Sequence, residues 1–479
     1  MQRLLLAALP LLVALPGTVR ADPVTPDQLL RHIEVLASDA YEGRKPGTPG
    51  EAKTLLYIAT QLRALGLEPA AGGGNWYQSV PLVERAPFAH RALWNAAGVP
   101  IALDQEDLVL VGRGPREALL DAPVHFIGYG LPAQTAGIDL RGGIALLLRA
   151  QPPAPDAPSY EERSRALVEA GAAAVIAVYA DDVPWSAVTD QFAHGGTRLQ
   201  SETVPGVFGA MPAAAAQRIV EASGRSFDPA RAEASVARAS VEVSSRVRAY
   251  DSHNLVARLA GSGTSRESVL ILAHWDHLGL CRPAGAPDRI CNGAVDNASG
   301  IAMLIEAARG LARDRPKRDI LFLATTAEEM GLLGASYFAA QPTVPLGSIV
   351  AAVNLDTVAI APKGEPVAVI GRGNARLDAA IAKSVENAGR RLDTDGEADI
   401  MVQRQDGWAL AKQGVPAVMV GGSFSDMGRL TDFLRGPYHA PDDDLGRAIV
   451  LDGAAEDTDL LIGLARRLGD PKRYKPSRR

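Results

Sequence analysis

The run Ala273-His274-Trp275-Asp276-His277 is followed, nineteen residues after its last histidine, by Asp296-Asn297-Ala298-Ser299-Gly300, and later by Thr326-Ala327-Glu328-Glu329. Side chains of these types suit a hydrolytic centre built on two divalent ions. Ions about 3.5 to 4 Å apart need a carboxylate between them, with imidazoles and further carboxylates completing each sphere. His274, Asp296, Glu329, Asp356 and His439 supply that set from well-separated parts of the chain. Glu328 adjoins one of these ligands, and its side chain points elsewhere when its neighbour binds metal. That placement suits a general base that takes a proton from the attacking water. Asp276 lies two residues past His274 and reads as a carboxylate that orients the imidazole from behind. His277 reads equally well as a buried hydrogen-bonding histidine and is assigned no role.

Each ligand needs an element to hold it. Val269-Leu270-Ile271-Leu272-Ala273 precedes His274, Ile320-Leu321-Phe322-Leu323-Ala324 precedes the glutamate pair, and Ile349-Val350-Ala351-Ala352-Val353-Asn354-Leu355 ends at Asp356. Unbroken apolar runs of this length are the pattern of strands buried on both faces in a parallel sheet. Ligands at their carboxyl ends fall where open α/β sheets place their sites. His439 sits in the loop Gly436-Pro437-Tyr438-His439-Ala440-Pro441. The segment Ile301-Ala302-Met303-Leu304-Ile305-Glu306-Ala307-Ala308 predicts a helix packed on the sheet, and strand, ligand and helix then recur as a doubly wound, mostly parallel α/β domain requires.

These pieces resemble the M28 family of zinc metallopeptidases. The resemblance is carried by His274-Trp275-Asp276-His277, by Asn292-Gly293-Ala294-Val295-Asp296-Asn297-Ala298-Ser299-Gly300 and by Glu328-Glu329-Met330-Gly331-Leu332-Leu333-Gly334. Asn354-Leu355-Asp356 and Tyr438-His439-Ala440-Pro441-Asp442-Asp443 complete it in order. It implies an aminopeptidase of the zinc exopeptidase fold holding two zinc ions. In that pattern Asp296 bridges the ions, His274 and Asp356 hold one, Glu329 and His439 hold the other, and Glu328 is the base. Tyr438, beside a ligand, is a candidate contact to the scissile carbonyl. Two departures stand out: Thr357 replaces the family's methionine after the aspartate ligand, and Gln405-Asp406-Gly407-Trp408 replaces a segment that commonly reads Ser-Asp-His-aromatic.

The remainder of the chain fits an exported globular enzyme. Its 479 residues suggest two or three domains, and 47% hydrophobic with 22% charged residues is ordinary for a folded chain. A formal net charge of -6 argues against a general nucleic-acid binder. Met1-Gln2-Arg3 followed by the apolar run Leu4–Leu15 reads as a secretory signal with cleavage after Ala21, and no later run is apolar and long enough to span a membrane. Periplasmic and fully secreted destinations both fit. In such a compartment Cys281 and Cys291 pair, closing a short loop between the first ligand and the bridging aspartate, for about 2 to 3 kcal/mol of loop entropy.

The expected organisation is a signal peptide over residues 1–21, an amino-terminal part of the peptidase domain over 22–90, an insert over 91–246, the catalytic domain over 247–470, and a basic tail over 471–479. The insert is rich in Ala, Val and Gly short runs, and resembles the β-rich α/β protease-associated domain found in a subset of the family. Asn297-Ala298-Ser299 spells a glycosylation acceptor, a reading rejected because a glycan there obstructs the ligand loop. Peptides are the expected substrates. Alternatives on the same fold are a glutamate-carboxypeptidase-like enzyme, needing a basic pocket from Arg372, Arg404 or Arg429, a glutaminyl-cyclase-like enzyme with one zinc, and a noncatalytic binding protein, which predicts eroded ligands. Oligomeric state is not legible.

Overall fold

The computed structural model describes residues 22–154, 157–193, 195–202, 204–446 and 449–476; the signal segment 1–21 lies outside them. The chain opens with helices α1 (Pro26–Leu36) and α2 (Pro49–Ala64). Thr25 starts α1 through a capping box with Gln28, and Pro26 occupies the first turn, where its missing N–H costs nothing. Strand β1 (Tyr77–Ala96) then leads outward into a region carrying β2 (Arg116–Gly128), β3 (Ile144–Leu148), β4 (Ala174–Tyr179), β5 (Val207–Pro212) and helix α3 (Ala213–Ala222). Strand β6 (Glu233–Leu259) brings the chain back, paired antiparallel with β1 from Asn95 opposite Arg238 to Tyr77 opposite Leu255.

This two-stranded ribbon joins the two halves. At its outer end Glu233–Ser244 pairs with β2, and β2, β3, β4 and β5 continue in parallel around a core of Val124, Phe126, Leu146, Ile176 and Met211. At its inner end Leu255–Leu259 pairs antiparallel with strand Asp319–Thr325 of the second half. The expected domain boundaries near residues 90 and 246 therefore fall inside β1 and β6, which run through them unbroken. Near its inner end the ribbon packs on the segment that follows this strand: Val80 and Leu82 lie against Ala327 and Leu333.

The second half contains β7 (Ser268–His274), α4 (Ser299–Arg313), β8 (Asp319–Thr325), β9 (Ile349–Asn354), β10 (Ala368–Ile370), β11 (Ala417–Gly421) and α5 (Leu451–Leu468). Strand order is β10-β11-β9-β7-β8-β6, parallel from β11 through β8 and antiparallel at both flanks. Alternate residues feed opposite faces, as the two-residue strand period demands. Val269, Ile271 and Ala273 pack beneath α1, α2, α4 and α5, whereas Leu270 and Leu272 join Leu321, Leu323 and Phe338 on the other side. With both faces covered, the sheet leaves its carboxyl edge for chemistry. This is the mixed α/β architecture with a mostly parallel catalytic sheet that the apolar runs imply.

Candidate metal centre

Strands β7, β8 and β9 end level with one another. Trp275 N–H donates to the Thr325 carbonyl at 2.9 Å and Leu355 N–H donates to the Leu272 carbonyl at 2.8 Å, so three strand ends are tied before the ligand loops begin. His274 closes β7, the Glu328-Glu329 pair follows β8, and Asp356 follows β9. All five expected ligands meet there. Asp296 lies between two imidazoles: its Oδ1 is 3.3 Å from His274 Nε2 and its Oδ2 is 3.5 Å from His439 Nε2. Asp356 Oδ1 stands 3.5 Å from His274 Nε2, and Glu329 Oε2 stands 2.8 Å from His439 Nε2.

Two donor sets that share Asp296 emerge. His274, Asp296 and Asp356 form one, and His277, Asp296 and Glu329 form the other, each within the span of a single ion. His277 belongs to the second set, and His439, expected there from the sequence, borders it. His277 Nδ1 is already engaged with Glu329 Oε1 at 2.5 Å, whereas the His439 ring is the more open, with its side chain 37% exposed. The buried Nε2 of His274 makes no hydrogen bond although carboxylates face it, which is what a lone pair kept for a metal looks like. Mixed imidazole and carboxylate donors suit zinc, so the residues present fit two such ions.

Several residues hold these ligands. The Asp276 carboxylate is fully buried and accepts the Glu328 N–H at 3.1 Å, while His274 Nδ1 lies 3.2 Å from the Asp276 carbonyl and 3.8 Å from its Oδ1. Asp276 thus grips the backbone of Glu328 with its carboxylate and the imidazole mainly with its main chain. Asp443 accepts N–H bonds from Val295 at 2.8 Å and Asp296 at 3.0 Å, clamping the bridging position. Asn297 is fully buried and donates to the Leu355 carbonyl at 2.9 Å, which leaves no room for a glycan. Cys281 and Cys291 are joined in a disulfide across the small hairpin Gly279–Leu280 and Ile290–Cys291.

Arg44, unassigned in the sequence, is the least expected member. It is 1% exposed, and among the described residues its guanidinium donates only to main-chain carbonyls: Trp275 at 2.9 Å, Leu36 at 2.8 Å, Asn292 at 2.6 Å and Gly293 at 2.9 Å. One side chain from the amino-terminal segment therefore ties the histidine loop to the loop that leads into Asp296. Its only sequence signal is its place in Tyr41–Gly50, a turn-rich stretch between two helices.

Charge crowding perturbs the acids unequally. Burial pushes Asp276 up to about 8 and Asp406 and Asp443 each up to about 6. Glu328 is raised well above the usual carboxylate range by burial, reinforced by Asp356, although His274 opposes the shift. Asp296 moves the other way: burial would raise it, but the facing histidines His274 and His439 outweigh that and hold it well below the usual carboxylate range. Burial opposes the charge on His439, yet Asp296 and Glu329 hold that histidine up to about 9. Burial lowers Arg44 to about 10 against the pull of Asp443, Asp296 and Asp276.

A cavity opens beside the ligands, bounded by Asp296, Glu328 and Asp356 on one side and by Met401, Met419, Phe424, Leu430 and Leu434 on another. Tyr438 also lines it, stacked on His439 with ring centroids 3.7 Å apart, and burial raises its phenol. Of the three arginines weighed for a basic pocket, Arg404 lines this cavity. Arg429 is instead engaged with Glu365 at 3.0 Å and Asp426 at 3.3 Å, and Arg372 donates to the Asp393 carbonyl. Behind the site Asp406 hydrogen-bonds Thr325, and at Gly407 the backbone N–H donates to Gln405 Oε1 at 2.7 Å.

Known proteins share this fold. The aminopeptidase from Aneurinibacillus sp. strain AM-1 has the same fold, with a TM-score of 0.58 at 19% identity over 95% of each chain. A zinc aminopeptidase from Bacillus subtilis matches with a TM-score of 0.51 at 22% identity, over 95% of this chain and 98% of that one. In sequence, 107 residues are 37% identical to a probable zinc metalloprotease of Pyrenophora tritici-repentis, covering 22% of this chain and 24% of that protein. A further 100-residue match at 32% identity is to a vacuolar membrane protease of Candida glabrata, 21% of this chain and 10% of that one. The chain thus spans no more than about a quarter of the length of these curated relatives. The model of peptidase family M28 matches residues 254–462, the stretch that holds all five expected ligands and Glu328, and it is this part of the chain that is similar to that family.

Proposed function

We propose that this protein is an exported aminopeptidase that removes amino-terminal residues from peptides at a centre of two zinc ions. The observation that carries this reading is the placement of Asp296 between two donor sets, with Glu328 half-buried beside them on the wall of the cavity. His274 and Asp356 would hold one zinc, Glu329 and His439 the other, and Asp296 both. Bound zinc supplies Lewis acidity toward the scissile carbonyl and toward water.

The chain's own residues do the rest. Glu328 takes a proton from the attacking water and later delivers it to the leaving amine, a task helped by an environment that raises its proton affinity. Asp276 holds the Glu328 backbone so that its carboxylate keeps one position through both transfers. Tyr438, facing the cavity, contacts the substrate carbonyl. A free substrate amine finds carboxylates around it, and that favours exopeptidase over endopeptidase action.

The insert between β1 and β6 is read as a protease-associated domain that covers the cleft or selects substrates. The contact of Val80 and Leu82 with Ala327 and Leu333, next to the base, supports a coupling between ribbon and site. Export rests on the signal pattern of residues 1–21, and among the described residues no helix is long and apolar enough to cross a membrane. The test is hydrolysis of aminoacyl chromogenic substrates against their amino-blocked versions. Turnover of the free-amine set alone is expected; equal turnover of blocked substrates contradicts the aminopeptidase reading.

A further inference from the structure

The cavity beside the metal ligands holds a cation that none of the hydrolytic steps uses. Its charged lining is Asp296, Glu328 and Asp356 on the ligand side and Arg404 on the other, with the apolar side chains of Met401, Met419, Phe424, Leu430 and Leu434 between. The three carboxylates have work in the site. Arg404 has none: it is an exposed residue of the lining whose guanidinium makes no ion pair or hydrogen bond among the described residues, and its backbone N–H donates to the Met401 carbonyl at 3.0 Å. The other two arginines weighed for a basic pocket are committed, Arg429 to Glu365 and Asp426 and Arg372 to a carbonyl.

An unpaired guanidinium presents a planar fork of donors that matches a carboxylate with two parallel hydrogen bonds. The apolar wall accepts an uncharged side chain. About 30 Å³ of the cavity is free, room for a side chain of a few heavy atoms rather than an aromatic ring. Resting on the aminopeptidase reading, we infer that Arg404 reads a substrate carboxylate close to the scissile bond. With the wall taken by the first side chain, that carboxylate is the free carboxyl terminus of a dipeptide. Substrates are then short peptides with a small apolar first residue. An acidic first side chain would offer Arg404 the same chemistry from another source.

The zinc-loaded enzyme is compared on alanyl-alanine and alanyl-alaninamide, which differ only in the terminal charge, and on the para-nitroanilides of alanine and glutamate. A kcat/KM about tenfold higher for the dipeptide than for its amide is expected, the effect of one charged hydrogen-bonded pair. Arg404→Met should bring that ratio close to one, Arg404→Lys should restore part of it, and Arg429→Met should leave it in place. Equal rates on dipeptide and amide in the parent enzyme, or a preference that survives Arg404→Met, overturns the assignment while leaving the aminopeptidase reading intact. A preference for the glutamyl anilide that depends on Arg404 upholds Arg404 as the carboxylate reader and moves the source to the side chain. Failure to cleave any free-amine substrate with two metals bound overturns both readings.

Discussion

The buried carboxylate of Asp276 accepts the backbone N–H of Glu328 at 3.1 Å. It reaches the proposed base through the main chain, so it sets where the Glu328 carboxylate stands without touching substrate. Asp276→Ala leaves that N–H unpaired in a closed site. A fall in kcat of roughly 10- to 100-fold is expected, the usual cost of losing an outer partner at a metal site, with KM little altered. Asp276→Asn, which keeps an acceptor oxygen, should recover part of it. Steady-state kinetics alongside a metal count checks this, and an unchanged kcat in the alanine variant rules the linkage out.

Arg44 gives a stability prediction. Arg44→Met strands four main-chain carbonyls in a region closed to water. Each buried group left unpaired costs about 1–3 kcal/mol, so a loss of at least about 3 kcal/mol is expected in urea unfolding. Because three of these carbonyls, those of Trp275, Asn292 and Gly293, belong to the histidine loop and to the loop before Asp296, zinc affinity should fall as well. A variant of parent stability and parent zinc affinity contradicts that role.

The disulfide bounds a separable part of the same loop. Replacing Cys281 and Cys291 with serine removes a link across ten residues, worth about 2 to 3 kcal/mol by loop entropy. The melting temperature should drop, and reductant, which lowers it for the parent protein, should have no effect on the double variant. Parent-like melting in the variant contradicts a stabilising link.

For the metal-free protein the pH dependence has a definite sign. Asp276 rises to about 8 and Glu328 also rises, both through burial, so the folded state keeps protons that unfolded carboxylates lose near pH 4. His439, at about 9, likewise stays protonated in the fold after the unfolded chain has released its proton near 6.5. In both cases the folded state binds more protons, and stability is lost as pH rises from about 4 toward 9. Asp296 and Glu329, lowered instead, add stability that disappears only in acid. Chelated protein should therefore melt at a lower temperature at pH 8.5 than at pH 6, and added zinc should stabilise it more at the higher pH. A melting temperature that climbs across this range in chelator contradicts the assignment.

Part of the expected ligand set was legible because His274, the Glu328-Glu329 pair and Asp356 each come after an apolar run that reads as a buried strand, whereas Asp296 and His439 lie in loops. His274 after Val269–Ala273 and Asp356 after Ile349–Leu355 carry their position in the sequence itself. What was hidden shares one physical cause. Arg44, and Asp443 within a quoted motif, act on carbonyls and N–H groups from distant segments, and a main-chain partner leaves no mark of its own in a side-chain pattern. The ribbon of β1 and β6 was hidden for a related reason: its composition changes along its length because its ends serve different cores, so a shift in texture fell inside one continuous strand. Arg404 could be named as a candidate cation, but only the fold separates it from Arg372 and Arg429.

The most direct measurement is the zinc content of the purified chain, by elemental analysis against protein concentration, for the parent and for Asp296→Ala. Two zinc ions per chain are expected in the parent, with both lost or greatly weakened in the variant, because one carboxylate faces both imidazoles. A single tightly held zinc in the parent, or two that survive removal of Asp296, would contradict a centre bridged at that residue.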